Sequence, residues 1–328
     1  MTTLLNSHPD AAGPSPAASG RSFPRSWDRR RSALLELPLV LPVLAFVGLI
    51  IVVPMAYVAF QSTHDWQPGS ESPFIGWQNY HDLFASEFFQ QVLWNQAVLL
   101  LGLPIYVLTP FLVALVLFDR VRGASVFRTI FFFPAVLSPA IVGIMFRVVL
   151  APDGPFNELL RRMGLGAFAL DWLNDQDLVK PVLIVLLTWA GMGVGIIIFS
   201  AALSALPLEQ LEAATLDGAN WWQSVRHIIL PELRPVIGLW AAYQTISLFA
   251  FSFGWVYVLT SGGPNGASTT IDFDIYQNAF TFGAFGIAAA ESVVLLAIVA
   301  TLGAAASGAT WLRRRTARSY QVAAEANR

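Results

Sequence analysis

Residues 207–235 read PLEQLEAATLDGANWWQSVRHIILPELRP. Pro207 suits a helix start, Leu208 to Leu216 is a run of good helix formers, and Gly218 supplies the left-handed residue at which a helix stops. A second helix is expected from about Asn220 to Ile229, ended by Pro231. Two short helices hinged on a glycine make a rigid knob, suited to docking on another protein rather than to chemistry. The stretches on either side, Pro181 to Leu206 and Val236 to Thr260, carry no charge and are long enough to cross a bilayer, so the knob protrudes between two spans.

The rest of the chain has the same character. Its 328 residues are 55% hydrophobic and 12% charged, with a mean hydropathy of +0.60. A soluble domain is about 45–50% apolar and about 25% charged, so this is the composition of a membrane protein. A hydrocarbon core about 30 Å thick needs roughly 20 apolar residues of helix. Six stretches with at most one charge qualify: Leu37 to Phe60, Val92 to Phe118, Thr129 to Leu150, Pro181 to Leu206, Val236 to Thr260 and Ile287 to Leu312. Several contain proline, tolerated in spans where neighbours satisfy the freed carbonyls. The first is too long, and too far from the N-terminus, for a cleaved signal peptide.

The fold class expected is therefore all-α and integral to the membrane, with six transmembrane helices. Orientation follows from Lys and Arg, which collect on the cytoplasmic side. With the N-terminus inside, inner segments hold fifteen basic residues: Arg21, Arg25, Arg29, Arg30, Arg31, Arg120, Arg122, Arg128, Arg226, Arg234, Arg313, Arg314, Arg315, Arg318 and Arg328. Outer loops hold Arg161, Arg162 and Lys180, and Arg147 sits near the outer end of a span. Both termini are thus expected in the cytoplasm. Residues 1–33, rich in Pro, Ser, Ala and Gly, read as a disordered tail, residues 34–315 as the six-helix domain, and residues 316–328 as a C-terminal tail. The loop from Gln61 to Gln91 carries Asp65, Glu71, Asp82 and Glu87 without Lys or Arg, and is expected to lay an amphipathic helix on the outer interface, with Trp66, Trp77 and Tyr80 at headgroup level. The loops 151–180 and 261–286 read as Gly/Pro-punctuated connections.

Glu212, Ala213 and Ala214, then Asp217, Gly218 and Ala219, then Ile228, Leu230 and Pro231 resemble the EAA loop of permease subunits from binding-protein-dependent ABC importers. More of the chain is similar to the sugar-importing, maltose-permease-like branch: Phe74-Ile75-Gly76 with Asn79-Tyr80, Arg128-Thr129 with Phe133-Pro134-Ala135, Pro152-Asp153-Gly154, and Tyr257-Val258-Leu259-Thr260 with Gly262-Gly263-Pro264. The resemblance runs from span one to span six. It implies the transmembrane fold of a type I ABC importer in a bacterial-type inner membrane, a second permease subunit completing the path, two copies of an ATPase subunit on the cytoplasmic loops, and an extracytoplasmic solute-binding protein that delivers the sugar. In that family the glutamate-bearing helix, here with Glu212, enters a cleft of the ATPase. Gly218 sets the angle between the two helices. Trp221 and Trp222 read as interfacial anchors or as ATPase contacts.

A sugar path needs groups that pair with hydroxyls and aromatic faces for C–H patches. Span five offers Gln244, Thr245, Leu248, Phe249 and Ser252, with Thr245, Phe249 and Ser252 on one helical face. Span four offers Trp189 and Gly191, Gly193 and Gly195. The resemblance also puts sugar contacts on these two spans; helix-packing glue is the competing reading. Asn95 and Gln96 either line a cavity or cap a neighbouring span, Gln96 standing where relatives carry Thr. Glu291 is a carboxylate in span six, costing roughly 2–3 kcal/mol in lipid, so it should face the bundle interior or a vestibule. It gates or contacts the sugar, is solvated at the outer end, or pairs with Arg147.

Much is excluded. A net charge of -2 argues against nucleic acid. With no cysteine there are no disulfides, thiolate metal sites or Cys nucleophile. Lys180 is the only lysine and Pro181 follows it, so the phosphate loop ending G-K-[ST] is absent and ATP hydrolysis falls to a partner. His8, His64, His81 and His227 lack metal-ligand spacing. No cofactor, metal or catalytic site is expected. A self-sufficient secondary transporter or channel would want ionisable residues deep in several spans, and a membrane-embedded transferase would want clustered acid/base groups. Neither explains the knob.

Overall fold

The computed structural model of the protein describes residues 41–118 and 124–326. Among these residues the regular elements are helical: α1 (Leu41–Gln61), α2 (Gln78–Ala85), α3 (Glu87–Leu101), α4 (Leu103–Phe118), α5 (Ala124–Val136), α6 (Pro139–Val149), α7 (Pro155–Arg162), α8 (Val179–Ser204), α9 (Leu208–Leu216), α10 (Trp221–Ala250), α11 (Phe253–Leu259), α12 (Ile271–Tyr276) and α13 (Phe285–Ala326). Two units divide the chain after Ala56. The described part of the first is apolar helix with a π turn at Gly48–Val52. The expected tail 1–33 and the basic residues up to Arg31, with Arg120 and Arg122, lie outside the described residues.

Four helical stretches are long and apolar enough to cross a membrane: α1, α3 with α4, α8, and the Phe285–Ala306 part of α13. Two bent pairs, Thr129–Val136 with Pro139–Val149 and Trp221–Ala250 with Phe253–Leu259, bring the number to six. The all-helical membrane class is as expected, but two of the spans are broken. The third folds through 104° at Leu137–Ser138. Pro139 drives its predecessor out of the helical region, so Ser138 is extended (ψ 137°) and its hydroxyl caps Ala140 N–H at 3.3 Å. The fifth bends by 51° at Phe251–Ser252.

The expected helix end at Pro231 is corrected: one helix runs from Trp221 through Pro231 and Pro235 to Ala250. A π turn at Val225–Ile229, with Leu230 N–H on the Val225 carbonyl, shifts the ladder by a residue just before Pro231, where the ring's missing N–H falls. The knob and span five are therefore one continuous element. α13 likewise continues past the expected span end, its backbone helical to Ala326 within the expected tail.

One cluster joins Phe111 and Leu115 of α4, Ile196, Phe199 and Leu203 of α8, and Val225, Ile229, Leu233 and Trp240 of α10. In lipid such packing depends on close approach rather than on escape from water. A Cβ at Gly193 would lie 2.5 Å from the Phe131 carbonyl oxygen and 2.6 Å from Phe132 Cα, so α8 and α5 touch backbone to backbone. At the far end, Leu183, Leu186, Leu248, Val256 and Phe273 form a second cluster, and Leu83, Phe89, Val92, Phe249 and Ile271 a third, against α13.

The first loop is folded onto its own chain. Asn79 of α2 is buried and donates to the carbonyls of Ser62 (2.8 Å) and His64 (2.9 Å), Tyr80 meets Ser62 Oγ at 2.7 Å, and Trp66 packs on Phe285. Only Trp77, 74% exposed, stays available to headgroups. Loop 151–178 is also built rather than merely connective: Asn157, with no exposed surface, donates to the carbonyls of Ala151, Pro152 and Leu170 and accepts from Trp172 Nε1 at 2.8 Å.

Candidate functional site: a cavity at two helix breaks and a two-helix knob

Both broken helices meet at one cavity of about 250 Å³. The α5–α6 break supplies Pro134, Ala135, Leu137 and Pro139; the α10–α11 break supplies Phe251, Ser252 and Trp255; α4 supplies Tyr106, and α8 and α10 the rest of the wall. Polar backbone freed at a break is tolerated within a membrane only where protein or a water-lined cavity satisfies it. No Lys, Arg, Asp or Glu lines the space.

Of the residues expected to line a sugar path, Gly191, Gln244, Leu248 and Ser252 line this cavity. Gln244 makes no hydrogen bond to a described residue, and its amide lies about where a side chain at Gly191 would point, 3.5 Å from a Cβ built there. A free primary amide offers two donors and an acceptor to a hydroxylated ligand. Trp189, Thr245, Phe249 and Glu291 do not line the cavity: Trp189 packs edge-on against Phe146, Thr245 returns its hydroxyl to the Ala241 carbonyl, and Phe249 is buried among α3 and α13 side chains. The expected shared face breaks down because the helix ends at Ala250, which rotates Ser252 away from the 245/249 line. Gly195, against Pro110 and Trp240, is a packing glycine like Gly193. Trp240 and Tyr243, stacked at 5.1 Å, also line the cavity and supply an aromatic face absent from the expected set. Their spacing ahead of Gln244 (i−4, i−1) was the available signal.

Ser252 lines the cavity with its proton already committed. Its hydroxyl donates to Asp272, 2.8 and 2.9 Å from the two carboxylate oxygens. Burial pushes the Asp272 carboxyl upward, opposed by its hydrogen bonds from Thr270, Ser252, Phe253 and Phe273. Asn95 and Gln96 are caps: Asn95 holds the Gly266 and Thr269 carbonyls, and Gln96 holds the Leu248 carbonyl at 3.0 Å.

Glu291 is neither solvated nor paired with Arg147. It has no exposed surface, accepts from Asn278 Nδ2 at 3.1 Å, and contacts the Asp274 carboxyl, while Arg147 donates to the Val258 carbonyl.

The knob begins with α9. Gly218, at φ +82°, closes it: Gly218 N–H bonds the Thr215 carbonyl and Ala219 N–H the Ala214 carbonyl, a Schellman pair. Asn220 then opens α10 with a reciprocal capping box, Gln223 N–H to Asn220 Oδ1 at 2.9 Å and Asn220 N–H to Gln223 Oε1 at 2.7 Å. Glu212, Ala213 and Asp217 are exposed, Ala214, Ala219, Ile228, Leu230 and Pro231 half-buried. Ala214, Asp217, Gly218, Ala219 and Ile228 border one groove between the two helices. Leu216 is 90% exposed and Trp222 67%, apolar surface that a knob in water would have reason to cover.

Up to six apolar spans, two of them broken at a neutral cavity, and a capped two-helix knob are the features of a transport permease. Over residues 13–310 the chain matches the family described as binding-protein-dependent transport system inner membrane component, and it belongs to that family. It is 31% identical to the diacetylchitobiose uptake system permease protein NgcF of Streptomyces coelicolor, over 89% of this chain and 86% of that one. It is also 31% identical to a probable ABC transporter permease protein of Pyrococcus horikoshii, over 80% and 91% respectively. Among solved structures it resembles a chain of the bacterial alginate ABC transporter in complex with an alginate pentasaccharide-bound periplasmic protein, with a TM-score of 0.71, 25% identity, and 85% of this chain and 96% of that chain covered. The chain is thus an inner-membrane permease component of a binding-protein-dependent ABC transport system.

Proposed function

We propose that this chain forms half of the translocation path for a sugar or oligosaccharide and couples it to a separate ATPase through the knob 207–234. The observation that carries the reading is the cavity at the two helix breaks, lined by both the free Gln244 amide and the stacked Trp240–Tyr243 pair. Amide and aromatic face together suit a ring that presents both hydroxyls and C–H patches. The lining has no cation to hold a phosphate or carboxylate, which favours a neutral saccharide over glycerol-phosphate-type esters or acidic sugars. The relative that imports diacetylchitobiose supports the saccharide class.

A second permease subunit closes the path, two ATPase copies engage the knobs, and an extracytoplasmic solute-binding protein delivers the sugar. Both termini lie in the cytoplasm, consistent with the distribution of Arg and Lys. Residues 34–315 make the permease domain, flanked by tails 1–33 and 316–328. Glu212 with Ala213, Ala214, Asp217, Gly218, Ala219, Ile228, Leu230 and Pro231 form the coupling surface. Because α10 runs unbroken from the knob to Ala250, movement imposed by the ATPase reaches the cavity wall through one helix.

The test is sugar-stimulated ATP hydrolysis by a reconstituted complex of this chain with its co-encoded permease, ATPase and binding protein. Glu212→Ala and Gly218→Pro are expected to abolish stimulation, and the stimulating sugar names the substrate. Normal stimulation and uptake in both variants would overturn the assignment of the knob; transport without the ATPase would overturn the whole reading.

A further inference from the structure

The bend in span five frees polar groups on both of its sides, and side chains from elsewhere claim them. On the α10 side the Leu248 carbonyl takes the Gln96 amide. On the α11 side a single carboxylate collects the hydroxyl of Ser252 and the N–H of Phe253, the latter 2.6 Å from Asp272 Oδ2. The carboxylate is itself fixed: Thr270 Oγ1 donates to Oδ1 at 2.6 Å and Phe273 N–H at 3.0 Å. No basic side chain among the described residues pairs with it, so its acceptor capacity goes to the break and to the start of α12. Asp272 does not line the cavity, whereas Phe251, Ser252 and Trp255, on either side of the bond it makes, all do. Ser252, its one proton held by Asp272, has none to give a ligand.

We propose that Asp272 is a positioning residue for transport: it clamps the bend between α10 and α11 and thereby places the Phe251–Trp255 wall against the transported molecule without touching it. The proposal rests on the reading of the cavity as the substrate path.

The experiment measures both sugar moved and ATP hydrolysed in the reconstituted complex, for Asp272→Asn, Asp272→Glu, Ser252→Ala, Gln244→Ala and the Ser252→Ala/Asp272→Asn double variant. Asp272→Asn puts an N–H donor against donors. It is expected to lower sugar per ATP by about tenfold while stimulated hydrolysis stays within about threefold, and Asp272→Glu to restore part of the loss. A purely structural role would depress both quantities together. Ser252→Ala, which keeps the Phe253 bond, should cost less, and the double variant no more than Asp272→Asn alone, since the two act as one unit. Additive losses, or Ser252→Ala as severe as Gln244→Ala, would overturn the clamp and make Ser252 a direct contact, even if Asp272→Asn failed to assemble. An unchanged ratio in Asp272→Asn with a lowered one in Gln244→Ala would overturn the proposal alone. Unchanged ratios in both would overturn the cavity reading with it.

Discussion

The carboxyls of Asp274 and Glu291 touch each other in a site closed to water: Glu291 has no exposed surface and Asp274 has 2%. Asn278 donates to Glu291 Oε2, Oε1 has no donor among the described residues, and no cation there is paired with either acid. Two buried carboxyls in contact are compatible only while they share a proton, which then bridges them. The tie joins α12 to α13 and lies away from the cavity.

Stability should therefore depend on pH. Burial raises the Asp274 carboxyl to about 6, whereas in an unfolded chain it titrates near 4. The folded state binds the extra proton, so this contribution is complete below about pH 4 and is lost as the pH rises through about 6, amounting to roughly 1–3 kcal/mol. Asp274→Asn removes the carboxyl that burial raises. The variant's thermal unfolding in detergent should vary less between pH 4 and pH 8 than wild type, with sugar uptake retained. Parallel pH profiles would show that Asp274 takes up no extra proton on folding.

The glycines of α8 should separate by role. Gly193→Ala drives a methyl into Phe131 and Phe132 backbone, which cannot rotate away, so a loss of about 2 kcal/mol or more and poor assembly are expected. Gly191→Ala meets only the movable Gln244 amide; it should fold normally and change transport instead. Equal thermal stability of the two variants would contradict this.

Gly218 needs its sign of φ, not its space, since nothing lies within 4 Å of a Cβ built there. Gly218→Ala should cost about 1 kcal/mol and weaken stimulated ATP hydrolysis, whereas Gly218→Asn, which tolerates the left-handed region, should recover most of it. Identical hydrolysis in the two variants would show that the turn angle does not matter.

Asn157→Ala leaves the Leu170 carbonyl and the Trp172 N–H without a partner, while the Ala151 and Pro152 carbonyls keep the Gly154 N–H and Arg161. A stability loss of about 2–4 kcal/mol, localised to residues 151–178 by faster amide exchange, is expected. Unchanged exchange there would mean that water replaces the amide fully.

Class and knob were legible because each rests on a strong local signal: uncharged runs of bilayer length, and a Gly–Ala–Asn sequence that fits a helix stop followed at once by a helix start. The cavity was only half legible. Gly191, Gln244, Leu248 and Ser252 emerged from chemistry on helical spacing, but spacing assumes an unbroken helix, and the bend after Ala250 takes Ser252 off the line of Thr245 and Phe249, which stay off the cavity wall. The extension through Pro231 was missed for the complementary reason: a proline reads as a stop unless the π turn before it is known. Ser252 lies 20 residues from Asp272 and Asn278 lies 13 from Glu291, and each pair comes together only in the folded chain. Nothing local in sequence announces such a contact.

The unbroken course of α10 sets a mechanical scale. From Trp221 to Ala250 it is about 45 Å long at ~1.5 Å per residue, so a tilt of about 10° at the knob end swings the cavity end through roughly 8 Å. Both of its prolines fall in the first half, close to the fulcrum, and the stiff remainder works as a lever arm. Gearing of that kind turns a small rocking of the knob into a displacement comparable to the width of a sugar ring, and a hinge engineered midway, for example at Gly238, would let the input end move while the output end stays still.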